Sequence, residues 1–181
     1  MPGLSESCWV FAYGSLIFRV DFPYLERAPA AVDGWQRRFW QGSHDHRGTP
    51  DAPGRVLTLV PSPGVRCGGM AYRVAPDVLT DLDYREKNGY ERTPLTMELA
   101  GRGPVVGLSY IAHAGNPAFL GPASDAKIAQ QIADSCGPSG RNVDYVLDLA
   151  RVLRELGEHD AHVFGLEQRL RPAPGMERSR S

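Results

Sequence analysis

The chain has 181 residues, of which 42% are hydrophobic and 23% are charged, and its formal net charge is −1 at pH 7. This length suits one domain with a core large enough to fold alone. The small net charge excludes an electrostatic basis for binding nucleic acid or an anionic membrane surface. No apolar run approaches the roughly 20 residues that span a bilayer, and the N-terminus, with Glu6 and no basic segment, is not typical of a secretory signal. We therefore expect neither a nucleic-acid partner nor a membrane partner.

The cysteines give an expectation about the compartment. Cys8, Cys67 and Cys136 are odd in number and lack the spacing of a metal site or a redox motif. Cys8 and Cys67 lie in apolar, strand-like runs, which predicts buried thiols. Because reduced thiols are typical of a reducing compartment, we expect a cytoplasmic protein.

The first element is an apolar run over residues 10–18, interrupted by Tyr13-Gly14-Ser15. This pattern predicts a buried strand that enters a tight turn. Gly14 lets the backbone approach a ligand closely, and successive free N–H groups in such a turn form an anion-binding concavity. An ordinary strand end with a Gly-Ser turn is the alternative.

The remaining elements alternate between strand and helix patterns. In chain order, an irregular connection at 21–31 leads to an aromatic strand at 32–41 and a polar loop at 42–54. Two strands at 55–60 and 65–74 follow, joined by a proline-glycine hairpin turn, and then a helix from Pro76 to just before Asn88-Gly89. Paired strands at 90–99 and 104–113 precede three helices, which are capped by Ser124, Asn142 and Asp160. The polar loop is too long for a plain hairpin, and such loops inside compact domains are often functional. Residues 171–181 contain two prolines and scattered charge, which predicts a disordered tail. We therefore expect an α+β fold in a single domain over residues 1–170.

Glu86 is the predicted catalytic residue. In the helix that begins at Pro76, Glu86 follows Leu82 by four residues and Leu79 by seven, which places it on the inward, apolar face. Partial desolvation and the negative end of the helix dipole both disfavour ionisation and raise the pKa of the carboxyl group. A carboxyl group with a raised pKa transfers protons efficiently near neutral pH, so we expect Glu86 to act as the general base.

A structural role for Glu86 is the alternative. Arg55, Arg73 or Arg92 could form an ion pair with it, and structural ion pairs also perturb pKa values.

The polar loop holds further candidates. In extended backbone, His44 and His46 flank one face with Asp45 opposite, and no third ligand is indicated elsewhere, so we expect no metal site. Arg47 carries a planar guanidinium that can bind a substrate carboxylate.

Other catalytic motifs are excluded. Ser15 lacks the G-x-S-x-G context of a serine nucleophile and suits binding better. The run Gly101-Arg102-Gly103 has no third glycine and opens no helix, so it is not a dinucleotide fingerprint. We expect no cofactor.

Four separated motifs together indicate a family. They are residues 13–17, residues 38–50, residues 84–90, and residues 137–142 with Tyr145 and Leu149. In this combination and order, the chain resembles the ChaC-type γ-glutamylcyclotransferases from about residue 9 to about residue 170. It departs from the family pattern at Ala12 and Asn88, where glycine is favoured, and at Phe18, where tryptophan is favoured.

The resemblance implies both a fold and an activity. The fold is a small mixed β-barrel of about six strands with flanking α-helices, in agreement with the strand patterns above. The activity is cleavage of a small-molecule substrate, glutathione, to 5-oxoproline and cysteinylglycine. In that reaction Glu86 is the general acid/base, and the turn formed by Tyr13, Gly14, Ser15 and Leu16 holds the γ-glutamyl group.

Two alternatives to this activity stay open. One is a cyclotransferase for another γ-glutamyl amine or dipeptide, and the other is a non-catalytic module that binds γ-glutamyl compounds. The sequence does not determine the oligomeric state.

Overall fold

The computed structural model describes residues 7–171, and its centre is a closed β-barrel. The barrel strands are β1 (Cys8–Ala12), β2 (Glu26–Ser43), β3 (Gly54–Val74), β4 (Tyr90–Leu99) and β5 (Gly103–Ala112). They follow the order β1-β3-β2-β4-β5, with antiparallel neighbours throughout except where β1 and β5 meet in parallel and close the barrel. A separate two-stranded sheet joins β6 (Cys136–Gly137) to β7 (Gly140–Arg141).

Helices flank the barrel. They are α1 (Ser15–Phe18), α2 (Pro76–Arg85), α3 (Asp125–Ala133), α4 (Asn142–Glu155) and α5 (Ala161–Leu170). The last three pack on one another, and α3 and α4 also contact β3 while α5 contacts β2. The predicted mixed barrel with flanking helices is confirmed, with five barrel strands in place of about six.

The difference in strand number arises in β3. The two strands predicted between residues 55 and 74 form one continuous strand, because both flanks of the proline-glycine segment stay paired with β2. Asp33 pairs with Arg66 and Trp35 pairs with Pro61, so residues 62–65 of β3 lie opposite Gly34 alone. The segment is therefore an enlarged bulge, and the predicted hairpin turn is wrong.

Strand β2 begins earlier than predicted, since residues 26–31 were expected to be irregular. Pro29 favoured that interpretation because proline lacks an N–H group. In the structure Pro29 lies beside the end of the β2–β4 pairing, which involves Ala30 and Ala31. Its carbonyl still accepts the N–H group of Ala100 at 2.9 Å, so the strand continues through the proline.

Two of the three predicted helix caps are confirmed. The side chains of Ser124 and Asp160 accept N–H groups in the first turns of α3 and α5. Asn142 is wrong as a cap, because it is the first residue of α4. Its amide group instead pairs with both main-chain groups of Arg55, in two hydrogen bonds of 2.8 Å.

The thiols and the chain end differ in part from expectation. Cys67 is buried as predicted, whereas Cys8 is only half-buried and Cys136 is exposed. Residues 172–181 of the predicted tail lie outside the described residues, but Arg171 is described and donates to Glu167 at 2.7 Å. Among the helices of residues 7–171, none is long and apolar enough to cross a membrane.

Candidate active site

A cleft opens at the end of the barrel where β1 leads into α1 and α2 leads into β4. Its outer part, the outer cleft, encloses about 620 Å³ including the open mouth. A narrower inner lobe of about 330 Å³ continues beneath it. The residues that line both parts are Ser15, Glu86, Tyr90 and Tyr145. Glu86 therefore lies where the outer cleft meets the inner lobe.

Residues 13–16 form one wall of the inner lobe. The predicted strand and turn are confirmed, and the chain passes directly into the single turn of α1, where Ile17 N–H donates to the Gly14 carbonyl at 2.9 Å. A Cβ atom at Gly14 would lie 2.9 Å from the hydroxyl oxygen of Tyr145. Glycine at this position lets the backbone approach Tyr145 closely, because a side chain would have to displace that hydroxyl.

Three tyrosine hydroxyls lie within electrostatic reach of the carboxyl group of Glu86. Those of Tyr13 and Tyr90 each donate to a main-chain carbonyl at 2.6 Å. Burial raises the pKa values of Tyr13 and Tyr90 well above the usual value for tyrosine, and it raises the pKa of Tyr145 to about 12. The charge of Glu86 raises the pKa of each tyrosine further. All three hydroxyls are therefore protonated and neutral at neutral pH.

Glu86 reaches this position from the end of α2. Helix α2 ends at Arg85, earlier than predicted, and Glu86 is its C-cap, with its N–H group donating to the Leu82 carbonyl at 2.9 Å. The helix stops there because the chain turns toward β4 through Gly89, whose φ of 96° suits glycine. The predicted apolar face is confirmed, since Val78, Leu79 and Leu82 are all buried.

The electrostatic environment of Glu86 favours its neutral form. Desolvation raises the pKa of the carboxyl group from 4.5 to about 7. The Arg85 guanidinium opposes this shift, and the Asp21 and Asp45 carboxylates add to it. Arg85 is itself ion-paired with Asp21. The predicted direction of the shift is confirmed, and burial is its main cause.

The alternative prediction, that Glu86 forms a structural ion pair with Arg55, Arg73 or Arg92, is wrong. Arg73 and Arg92 pair with other carboxylates, and Arg55 donates to a glutamine side chain and two main-chain carbonyls. Within residues 7–171, Glu86 has no ion-pair partner.

Arg47 lines the outer cleft from the loop between β2 and β3. Its side chain is buried, its Nη1 atom donates to the Arg141 carbonyl at 3.0 Å, and its guanidinium lies 5.6 Å from the centre of the Tyr145 ring. Burial lowers the pKa of Arg47, and the positive charge of Arg19 lowers it further. The structure thus holds a buried, hydrogen-bonded cation in the lining of the outer cleft.

In the His44-Asp45-His46 run, Asp45 and His46 contact different parts of the chain. Asp45 accepts a hydrogen bond from the Asn88 side chain, and His46 lies 3.2 Å from the Ser139 hydroxyl. In the described part of the chain, no three His, Cys, Asp or Glu side chains are placed to hold a metal ion.

Sequence reasoning did not name Arg19, Tyr90 or Tyr145 as site residues, although Tyr90 and Tyr145 belong to the motifs that carry the family resemblance. Tyr145 was not named because the apolar pattern of α4 also includes Val143 and Leu147, which are only half-buried. The signal that could have found Tyr145 is its four-residue spacing to Leu149, since both side chains are buried.

Comparison with known proteins places these features in a family. The ChaC-like protein family model matches residues 8–173. The chain belongs to the ChaC-like family. The family resemblance indicated by the four motifs is thereby confirmed.

Individual members of this family are similar over most of their length. γ-Glutamylcyclotransferase 2-3 of Arabidopsis thaliana is 42% identical over 90% of this chain and 88% of the relative. Glutathione-specific γ-glutamylcyclotransferase 1 of Homo sapiens is 39% identical over 91% of this chain and 78% of the relative. A crystal structure of a γ-glutamyl cyclotransferase specific to glutathione from yeast superposes with a TM-score of 0.85 at 30% identity, covering 91% of this chain and 96% of that chain.

Proposed function

We propose that this ChaC-like protein is a γ-glutamylcyclotransferase that cleaves glutathione to 5-oxoproline and cysteinylglycine. Relatives with that activity in their names, from human and from yeast, support the assignment. One observation carries the proposal: Glu86 lies at the junction of the outer cleft and the inner lobe, and burial there raises the pKa of its carboxyl group to about 7.

The reaction is an internal cyclisation that consumes no water. The α-amine of the γ-glutamyl group attacks its own γ-carbonyl carbon, forming a carbon–nitrogen bond that closes a five-membered ring. The bond from that carbon to the cysteine nitrogen then breaks, and cysteinylglycine leaves. Well-oriented intramolecular attack reaches effective concentrations of about 10⁵–10⁸ M, so holding the substrate in a folded conformation supplies much of the catalysis.

Glu86 supplies the proton transfers. Its carboxylate takes a proton from the substrate ammonium group, which frees the nucleophile, and the resulting acid gives this proton to the departing nitrogen. The second proton, which the attacking nitrogen loses as the ring closes, follows the same route, so cysteinylglycine leaves with a protonated amine. A carboxyl group with a pKa of about 7 exists in both forms near neutral pH, as both steps require.

The inner lobe supplies neutral hydrogen-bond donors to the γ-glutamyl group. Residues 13–16 and the surrounding tyrosines line it, and no Lys, Arg or His is among its lining residues within the described chain. In this proposal the main-chain N–H groups of Tyr13, Gly14, Ser15 and Leu16 hold the oxygens of the γ-glutamyl group. Arg47 binds a carboxylate in the outer cleft.

The variant Glu86→Gln tests the assignment. The amide keeps the shape of the side chain but cannot accept the ammonium proton, so we expect 5-oxoproline release to fall by about 10²–10⁴-fold. The rate is measured as 5-oxoproline formed from glutathione, and glutathione affinity by calorimetry.

Glu91→Gln is the matched control, because Glu91 is an exposed residue of β4 outside the cleft lining. The control should keep wild-type activity, and Glu86→Gln should still bind glutathione. Turnover by Glu86→Gln within severalfold of wild type would exclude Glu86 as the base. Binding of glutathione without turnover by the wild type would instead favour the non-catalytic module, and faster release from γ-glutamyl-alanine or γ-glutamyl-lysine would favour another substrate.

A further inference from the structure

We infer that Arg19 and Arg47 form a subsite in the outer cleft that binds the C-terminal carboxylate of the substrate. This subsite selects γ-glutamyl compounds that carry a negative charge on the leaving side of the scissile bond. The inference rests on the proposed function and specifies which end of the substrate each part of the cleft takes.

Arg19 is a cation at the mouth of the cleft that has no partner among residues 7–171. It is the C-cap of α1, is exposed and lines the outer cleft. Within residues 7–171, its side chain takes part in no hydrogen bond, ion pair or ring contact. Its positive charge also reaches Arg47, because it contributes to lowering the pKa of that residue. Two guanidinium groups thus repel each other across the outer cleft, and an anion between them would relieve the repulsion.

Among the described residues, none of the other charged side chains of the outer cleft pairs with Arg19 or Arg47. Arg85 pairs with Asp21, and Asp45 accepts from the neutral Asn88 amide and lies 3.8 Å from His46. Glu86 lies deeper, at the junction with the inner lobe. The mouth therefore keeps a local positive charge at Arg19 and Arg47, although the net charge of the whole chain is −1.

Carboxylates near Arg47 do not cancel this charge. Asp144 and Asp148 of α4 attract Arg47 at a distance, but they also lie beside other arginines. Asp144 accepts from Arg141 at 2.9 Å, and Asp148 lies 4.0 Å from Arg151.

Arg47 also has unused hydrogen-bonding capacity. A guanidinium carries five N–H donors, and the described contacts of Arg47 use only Nη1. The group is held in place by this bond and by the ring of Tyr145, so little side-chain entropy is lost when a carboxylate binds. Arg47 is therefore the rigid half of the subsite, and the exposed Arg19 is the half that closes on the ligand.

The position of Glu86 determines which carboxylate reaches the subsite. The reacting bond must lie beside Glu86, at the junction of the two parts of the cleft. The inner lobe has no cationic side chain among its described lining residues, and it takes the γ-glutamyl group. The leaving cysteinylglycine then extends into the outer cleft, where an extended dipeptide places its carboxylate about 7 Å from the scissile bond.

The test compares two substrates on two enzymes. The substrates are glutathione and its glycine amide, which lacks only the C-terminal negative charge, and the enzymes are the wild type and Arg19→Gln. We expect Arg19→Gln to raise KM for glutathione about tenfold with kcat nearly unchanged, because a charge-assisted hydrogen bond to the ground state is lost. KM for the glycine amide should be the same for both enzymes.

Two further variants make the result specific. Arg19→Lys keeps the charge and should retain most of the preference for glutathione over its amide. Arg66→Gln, an exposed residue of β3 outside the cleft lining, removes the same charge and should leave both KM values as in the wild type.

The possible failures are distinguishable. An equal rise of KM for both substrates in Arg19→Gln, or no rise for either, would overturn the subsite and leave the proposed function in place. Absence of 5-oxoproline from both substrates with the wild-type enzyme would overturn the proposed function, and the subsite with it.

Discussion

At the scale of single residues, the burial that prepares Glu86 for proton transfer also disfavours folding. Its carboxyl group has a pKa of about 7 in the folded protein, whereas the usual value for a glutamate is 4.5. As pH rises between these values, the unfolded chain releases its proton before the folded protein does. The folded state then binds more protons than the unfolded state, so the free energy of unfolding falls as pH rises through this window and levels off above 7.

Glu86→Gln is therefore expected to stabilise the protein at pH 8. The amide carries no charge to desolvate, and the gain in the free energy of unfolding should be about 1–3 kcal/mol. The gain should shrink as pH is lowered to 5, where the carboxyl group of the wild type is protonated in the fold. Urea unfolding at both pH values measures it, and a variant less stable than wild type at pH 8 would indicate an ion-paired glutamate instead.

At the scale of elements, the start of α4 organises the loop that carries Arg47. The buried side chain of Asn142 binds both main-chain groups of Arg55 at the start of β3. The preceding residue, Arg141, accepts from the Arg47 side chain, and the Arg47 N–H group donates to the Ser43 hydroxyl at 2.9 Å. The loop between β2 and β3 is thus tied to α4 and to both strands, which explains how a long irregular segment can present a fixed cation.

We expect Asn142→Ala to lower the free energy of unfolding by about 2–3 kcal/mol, because it leaves a buried N–H group and a buried carbonyl of Arg55 without partners. Urea unfolding monitored by tryptophan fluorescence measures the change. Gln130→Ala is the matched control, since this exposed side-chain amide of α3 donates to Asp134 on the same helix, and it should cost less than about 0.5 kcal/mol. A loss in Asn142→Ala no larger than that of the control would show that α4 does not secure the start of β3.

At the scale of the whole molecule, the described residues contain the closed barrel, the flanking helices and both parts of the cleft. The contact at the end of α5 is the charged pair of Arg171 with Glu167, which also binds Arg154. One catalytic domain over residues 1–170 stays a prediction, and the contacts of Arg171 give a boundary at which it can be tested.

A chain truncated after Arg171 tests that expectation. It keeps every contact described above, so its Tm should lie within about 2 °C of the full-length value. Its kcat and KM for glutathione should also equal those of the full chain. A lower Tm or a raised KM would show that residues 172–181 contribute to the domain or to the cleft.

The sequence by itself determined the elements and groups whose physical causes are local. Ser124 and Asp160 cap helices because a short side-chain oxygen satisfies N–H groups a few residues away. The β4–β5 hairpin likewise follows from two strand patterns and the short turn between them. The inward position of Glu86 depends on helical spacing from Leu82, so its raised pKa was predictable although the helix ends earlier.

Only the tertiary structure decided the features that depend on distant parts of the chain. β3 is continuous because β2 holds both flanks of its bulge, and no local pattern records that pairing. The side-chain amide of Asn142 forms hydrogen bonds with Arg55 and does not cap its own helix, because the barrel and the helix meet there. Arg19 and Arg47 line the same cleft only in the folded barrel, in which β3 pairs with both β1 and β2. Their mutual repulsion is a property of the fold, since charges separated along the sequence interact only when folding brings them near.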